Sequence, residues 1–133
     1  MSLSEYADKI FMEFGRRFDL VAKRTTYEDG EVCVFYDKQV GLDEEVWMCF
    51  GNIDEISYGV GDFFSSSAFP CPSAFSGFIG NMDGILSGQY RIRYGRFSSV
   101  LEEPLEGSWK IIAKYSGPNW SGFRSRVFVN RPK

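Results

Sequence analysis

The chain has 133 residues, of which 44% are apolar and 17% aromatic, so it can build a hydrophobic core without metal or disulfide support. It contains no histidine, which excludes Ser-His-Asp and Cys-His catalysis and histidine-containing metal sites. The net charge of −3 hides an asymmetry, because residues 1–66 carry 14 acidic and 6 basic side chains, whereas residues 67–133 carry 4 acidic and 9 basic ones. Such a sign change indicates either a charged partner or mutual attraction of the two halves.

The first predicted element is an amphipathic helix at the N-terminus. Apolar residues recur at three- and four-residue intervals from Leu3 to Phe14, which places them on one helical face. Ser2 and Glu5 form a capping-box pair, and Gly15 is expected to end the helix. We expect the apolar face of this helix to pack on the core.

Four strands are predicted next, at residues 20–27, 31–37, 46–50 and 53–60. Asp29 and Gly30 supply a hairpin turn between the first two strands. The second and third strands are continuous apolar runs, which predicts that both of their faces are covered. Residues 59–72, rich in Gly, Ser and Pro, are predicted to be a loop that connects the acidic half to the basic half.

A second helix is predicted from Pro72 to Ser87, with Gly88 as its stop. The face opposite its apolar residues holds serines and glycines and almost no charge. Glycine costs about 1 kcal/mol relative to alanine inside a helix. Close packing of another backbone on Gly77, Gly80 and Gly84 would offset this cost, and the alternative is a merely weak helix.

Three further strands are predicted at residues 89–96, 108–115 and 124–130. Basic residues alternate along them, at Arg91, Arg93, Lys110, Lys114, Arg124 and Arg126, and would share one sheet face if these strands were neighbours. We rank a solvated face, partly neutralised by acids of residues 1–66, before an acidic protein partner. Nucleic acid ranks third because the pI is near 5.0 and RNA-binding signatures are missing.

The remaining reactive groups give weak signals. Cys33, Cys49 and Cys71 are widely spaced without a CxxC pair, so neither a disulfide nor a metal site is expected, and the first two are interpreted as core residues. Asp54 and Glu55 are adjacent in a predicted strand, and adjacent side chains point to opposite faces. Paired carboxylate catalysis is therefore disfavoured there.

The element order α-β-β-β-β-α-β-β-β predicts an α+β fold in which an antiparallel sheet of about six to seven strands packs against two helices. We expect residues 1–133 to form a single domain. The chain has no run of about 18 apolar residues and its N-terminus lacks the features of a signal peptide, so a soluble cytoplasmic protein without membrane contact is predicted.

Two functions from different classes fit these features. The first is a non-enzymatic protein-interaction domain of the inhibitor, immunity-protein or chaperone type, which binds a specific partner protein or a second copy of the chain and needs no cofactor. The alternative is a small-ligand-binding domain or a carboxylate-dependent enzyme with an aromatic-lined pocket near Trp47, Trp109 or Trp120.

In size, acidity and the order of helix and strands, the chain resembles small bacterial toxin-immunity proteins and, less closely, acidic secretion chaperones. The resemblance rests on these general features and implies a partner protein. No catalytic or metal-binding residue is predicted. The candidate binding residues are Gly77, Gly80, Gly84, Arg91, Arg93, Lys110, Lys114, Trp120 and Arg126.

Overall fold

The structure, a computed structural model, describes residues 2–51, 54–68, 73–116 and 126–133. These residues form two helices and nine strands, and the strands make two antiparallel sheets. The α+β class predicted from the sequence is confirmed. The strands number nine instead of six or seven, and they divide between two sheets instead of forming one.

In chain order the elements are α1 (Leu3–Phe18), β1 (Lys23–Thr26), β2 (Val32–Tyr36), β3 (Val46–Gly51), β4 (Glu55–Val60), β5 (Phe64–Ala68), α2 (Ala74–Ser87), β6 (Arg91–Tyr94), β7 (Ser98–Leu105), β8 (Ser108–Ser116) and β9 (Arg126–Phe128). The five-stranded sheet has the order β1-β2-β3-β4-β5, and the four-stranded sheet has the order β8-β7-β6-β9. Within the described ranges, neither helix is long and apolar enough to cross a bilayer.

Two strands, β5 and β7, are absent from the sequence prediction. β5 contains three consecutive serines and falls in the stretch 59–72, which was predicted to be a loop. Residues 61–63 do form a turn, but residues 64–68 form β5, and residues 69–72 lie outside the described residues. β7 ends in Glu102, Glu103, Pro104 and Leu105, which lie between the strands predicted at residues 89–96 and 108–115. In both cases pairing with neighbouring strands overrides a low strand propensity.

Helix α1 is held on the five-stranded sheet by Tyr36, a fully buried residue of β2. Its hydroxyl donates to the Phe11 carbonyl and accepts from the Gly15 N–H at 3.0 Å. A Cβ at position 15 would lie 2.9 Å from the Tyr36 side chain. The expected helix end at Gly15 is therefore wrong: the glycine makes room for Tyr36, and the helix continues to Phe18 before Asp19 caps it in the left-handed region.

The helices cover only one face of the five-stranded sheet. Val34 and Tyr36 of β2 and Met48 of β3 point toward the helices and are fully buried, and they belong to one hydrophobic cluster that includes residues of both helices and both sheets. On the other face, Phe35 is exposed and Trp47 is half-buried. The expectation that these strands are covered on both faces is wrong, because aromatic and sulfur-containing side chains occupy an open face.

Cys33 and Cys49 form a disulfide across β2 and β3, which corrects the expectation of unlinked core cysteines. The two residues are directly opposite in the strand register, with their Cα atoms 4.1 Å apart. The spacing of 16 residues carries no disulfide signal by itself. If the two apolar runs 32–36 and 46–50 are aligned as antiparallel strands over their full length, however, the two cysteines lie opposite each other.

The C-terminal segment returns to the first half of the chain. Arg131 Nε lies 2.8 Å from a carboxylate oxygen of Asp43, and Lys133 Nζ lies 3.0 Å from a carboxylate oxygen of Asp19. Among the described residues, these are the two ion pairs that join a base of residues 67–133 to an acid of residues 1–66. Internal attraction between the halves thus includes these two C-terminal ion pairs and a third pair, between Arg17 of α1 and Asp83 of α2.

Replacing Tyr36 by phenylalanine should lower the unfolding free energy at pH 7 by about 1–2 kcal/mol, because two buried hydrogen bonds are lost. Burial raises the pKa of Tyr36 to about 12, against the opposing effect of the Gly15 hydrogen bond. The folded state keeps this proton while the unfolded chain releases it, so stability falls as the pH rises from 10 toward 12. Urea unfolding between pH 10 and pH 12 should show that the unfolding free energy falls less steeply with pH for Tyr36→Phe than for the wild type. An equal dependence on pH in the two proteins would contradict the raised pKa of Tyr36.

Reducing the Cys33–Cys49 disulfide should lower the unfolding free energy by about 2–4 kcal/mol, because the crosslink removes the entropy of a closed loop of this size from the unfolded chain. Denaturant unfolding with and without a dithiol reductant measures the difference. In the double variant Cys33→Ala with Cys49→Ala, reductant should have no effect. Denatured protein should show two more thiols after reduction than before; an unchanged thiol count would contradict the crosslink.

Candidate binding site

The outer face of the four-stranded sheet carries two arginines around a buried glutamate. Arg91 lies directly opposite Glu102, and Arg93 follows two residues later on β6, so the three side chains share this face. Arg91 Nε donates to Glu102 Oε1 at 2.9 Å, and Arg93 donates to the two carboxylate oxygens at 3.4 and 3.5 Å. Glu102 is only 4% exposed. One carboxylate therefore holds two guanidinium groups in place.

The electrostatic environment keeps Glu102 ionised. Burial, the largest single effect, raises its pKa, but hydrogen bonds from Arg93 and Arg91 and the positive charges of both arginines together outweigh burial. The net result is a pKa below the usual value of a glutamate. The cluster is therefore a fixed arrangement of two positive charges and one negative charge at neutral pH.

Apolar side chains surround this cluster and remain exposed. The guanidinium carbon of Arg91 lies 4.1 Å from the ring centroid of Trp109, a cation–π distance. Trp109 is 37% exposed, Ile111 is 42% exposed and Val127 is 52% exposed. Ile111 lies opposite Glu102, and Val127 lies opposite Arg93. We call this surface the Arg–Trp face; its members are Arg91, Arg93, Glu102, Trp109, Ile111 and Val127.

The basic residues do not all share one sheet face, because the three strands that carry them are not all neighbours. β7 separates β6 from β8, and a bulge at Leu101/Glu102 inserts one extra residue of β8 into the pairing. Lys114 consequently lies opposite Val100 on the outer face, whereas Lys110 lies opposite Glu103 on the other face and forms a 4.0 Å ion pair with it.

Arg126 of the last strand also lies on a different face from Arg91 and Arg93. Arg126 lies opposite Tyr94, on the face away from Arg93, and Arg124 lies outside the described residues. The acids that neutralise the basic strands are Glu102 and Glu103 of β7, so the expected neutralisation by residues 1–66 is wrong for these strands. Of the predicted basic residues, Arg91, Arg93 and Lys114 lie on the outer face of the four-stranded sheet.

The three predicted glycines of α2 have different surroundings. A Cβ at Gly77 or Gly80 would meet nothing within 4 Å, so these two positions face open space. A Cβ at Gly84 would lie 2.4 Å from the ring of Tyr90. Close packing thus explains Gly84 alone, and the neighbour is an aromatic ring of the same chain instead of another backbone.

Trp47, Trp109 and Trp120 are the alternative positions predicted for an aromatic-lined pocket. Trp109 belongs to the Arg–Trp face, and Trp120 lies outside the described residues. Trp47 lines a groove of about 460 Å³ on the open face of the five-stranded sheet. We call it the Trp47 groove; its main members are Trp47, Glu55, Ser57, Ser65, Ser67 and Lys114. Among the described residues, no cluster of three or more Cys, Asp or Glu side chains could hold a metal ion.

Sequence reasoning missed Glu102 as the partner of the two arginines, and it named Trp47 as a possible pocket residue without the serines and Glu55 that line the groove with it. Glu102 lies between two predicted strands, in a stretch that also contains Glu103 and Pro104. The serines of β5 lie in the predicted loop at residues 59–72. The bulge that redirects Lys110 leaves no mark in the alternation of basic and apolar residues along β8.

Comparisons of the chain with protein-family models, with curated protein sequences and with solved structures gave no match. No relative therefore supports the general resemblance to immunity proteins and secretion chaperones. The two surfaces described above are the basis on which a function can be proposed.

Replacing Glu102 by glutamine should lower the unfolding free energy at pH 7 by about 1–3 kcal/mol, because the charged partner of both arginines is removed. The stability contributed by a carboxylate of lowered pKa is fully present above about pH 4.3, the usual value of glutamate, and is lost as the pH falls through the folded-state pKa. The variant should therefore lose less stability than the wild type between pH 7 and pH 3.

Urea unfolding at the two pH values measures this difference. Glu106→Gln is the matched control, because Glu106 is an exposed residue of the turn that follows β7. It should behave like the wild type at both pH values. Equal stability of Glu102→Gln and wild type at pH 7 would contradict the described role of the carboxylate.

Proposed function

We propose that this chain is a non-enzymatic binding protein that engages an acidic partner protein through the Arg–Trp face. The observation that carries the proposal is the exposed ring of Trp109, which packs against the guanidinium group of Arg91, itself hydrogen-bonded to the buried Glu102. Exposed tryptophan and arginine side chains held by their neighbours are typical of the residues that dominate binding energy in protein interfaces.

The composition of the face supports a protein partner. Interface cores are enriched in aromatic residues and arginine and depleted of lysine. Trp109, Ile111 and Val127 offer apolar contact area, and Arg91 and Arg93 border them. A nucleic acid would be expected to contact a broader array of basic residues, and the separation of Lys110 and Arg126 from this face removes that array.

Preorganisation supports the same conclusion. Binding normally costs about 0.5–1.5 kcal/mol for each flexible side chain that becomes ordered. Glu102 already restricts Arg91 and Arg93, so much of that cost is met by folding. Their N–H groups that do not contact Glu102 can donate to carboxylates, which is why we propose an acidic partner.

The type of binding protein and its location follow from the partner. An inhibitor, an immunity protein and a chaperone would all use such a face, and the partner's activity distinguishes them.

The cytoplasmic location stays a prediction, and the Cys33–Cys49 disulfide argues against it because cytosolic thiols are kept reduced.

Replacing Trp109 by alanine should weaken binding of the partner at least about 30-fold, because a loss of about 2 kcal/mol is expected at such a site. The immobilised chain is first used to capture proteins from an extract of its source organism. A captured protein of equal stoichiometry is then purified and titrated against wild type, Trp109→Ala and Arg93→Ala by calorimetry. Arg93→Ala should also weaken binding, and raising the salt concentration should reduce that difference.

Tyr27→Ala is the matched control, because Tyr27 is an exposed aromatic residue of the β1–β2 hairpin, in the other sheet. It should leave the affinity unchanged. The proposal fails if Trp109→Ala binds as tightly as the wild type, if the captured partner is basic, or if only nucleic acid is recovered.

A further inference from the structure

The Trp47 groove lies between the open face of the five-stranded sheet and the end of β8. Its volume of about 460 Å³ falls within the roughly 300–1,000 Å³ typical of small-molecule sites. A smaller recess of about 180 Å³ adjoins it and shares Trp47, Ser65 and Tyr115. The groove contains no member of the Arg–Trp face, so an inference about it does not rest on the proposed function.

One wall of the groove is an indole ring laid over a glycine. Trp47 lies opposite Gly59 in the β3–β4 register, and a Cβ at position 59 would lie 2.5 Å from the indole. Glycine inside a strand weakens the strand and often marks a close approach of another group. Here it lets the half-buried ring lie low on the sheet while lining both the groove and the recess.

The floor of the groove consists of hydroxyl groups without partners. Ser57 lies opposite Ser67, and Gly59 lies opposite Ser65, so the three serines and the indole share one face of the sheet. Among the described residues, none of these three hydroxyls has a hydrogen-bond partner. Every buried polar side-chain atom of the described residues, by contrast, has a partner. The hydroxyls are thus available for hydrogen bonds to a ligand or to water.

Opposite charges line the groove without forming a pair. Glu55 and Lys114 both line it, yet neither takes part in an ion pair with any described residue. A carboxylate accepts hydrogen bonds and an ammonium group donates them. Because a ligand with a net charge of either sign would be repelled by one of these two groups, a ligand of zero net charge that is rich in hydrogen-bonding groups fits both of them best.

We propose that the Trp47 groove binds a neutral saccharide. Sugar hydroxyls both donate and accept, so they match the serines, the carboxylate and the ammonium group at the same time. The apolar C–H face of a pyranose ring matches the face of the indole, which supplies contact area without requiring a charge. The adjoining recess, bordered by Tyr115 and Asp62, takes a second ring of the same chain of sugars.

Nuclear magnetic resonance titration with three trisaccharides tests the proposal: maltotriose, cellotriose and the trimer of N-acetylglucosamine. At least one should produce a saturable shift of the Trp47 indole N–H signal, with a dissociation constant in the millimolar range or below. Lack of a saturable shift with all three overturns the proposal. Tighter binding of citrate or spermidine, used as anionic and cationic probes, also overturns it.

Variants locate the binding and separate it from the proposed function. Trp47→Ala should weaken saccharide binding at least ten-fold. Because loss of the indole can also disturb the fold, Ser67→Phe is the second variant. Its phenyl ring fills the groove from the edge strand β5 and should weaken saccharide binding to a similar degree. Trp109→Ala should leave the saccharide affinity unchanged, although it weakens binding of the protein partner. Binding that persists in both groove variants overturns the assignment.

Discussion

The side chain of Asn130 joins the C-terminal segment to the β2–β3 loop and to the end of α2. Its amide accepts a hydrogen bond from the Asp43 N–H at 2.9 Å and donates to the carbonyls of Gly41 and Leu86 at 3.0 and 2.7 Å. Only 3% of the residue is exposed, so each broken bond would leave a buried polar group unsatisfied. The β2–β3 loop, the end of α2 and the segment after β9 are thereby fixed together. Because β9 pairs with β6, this amide is one of the contacts that hold the four-stranded sheet beside the first sheet.

Strand β8 contributes to both proposed sites. Trp109 and Ile111, at its start, belong to the Arg–Trp face, whereas Lys114 and Tyr115, near its end, line the Trp47 groove. The bulge between these two pairs of residues changes which side chains face outward. Without it, Trp109 would point to the opposite face and would not meet Arg91. A single inserted residue therefore lets one strand serve two surfaces of different chemistry.

The fold class could be predicted from the sequence because hydrophobic periodicity is a local property. Both helices and seven strands follow from it, and the hairpin at Gly30, with its positive φ, follows from turn chemistry. The strands that escaped prediction depend on pairing partners: β5 has too few apolar residues to indicate a strand, and β7 carries two acids and a proline. The candidate site escaped for the same reason. Arg91 and Arg93 are two of the six basic residues named from the sequence, but Glu102 becomes their partner only through the register of β6 and β7. The Trp47 groove likewise requires the arrangement of two sheets, which no local pattern encodes.

The crosslink between Cys33 and Cys49 also changes how the chain behaves as a length of polymer. It closes residues 33–49 into a covalent ring, so a pulling force applied at the two ends bypasses the 16 residue steps between the cysteines. At roughly 3.3–3.6 Å for each extended residue, and with the crosslinked Cα atoms 4.1 Å apart, the reachable contour shortens by about 50 Å. Any pore or unfoldase that draws the oxidised chain through a narrow opening would have to accommodate two strands side by side at this point.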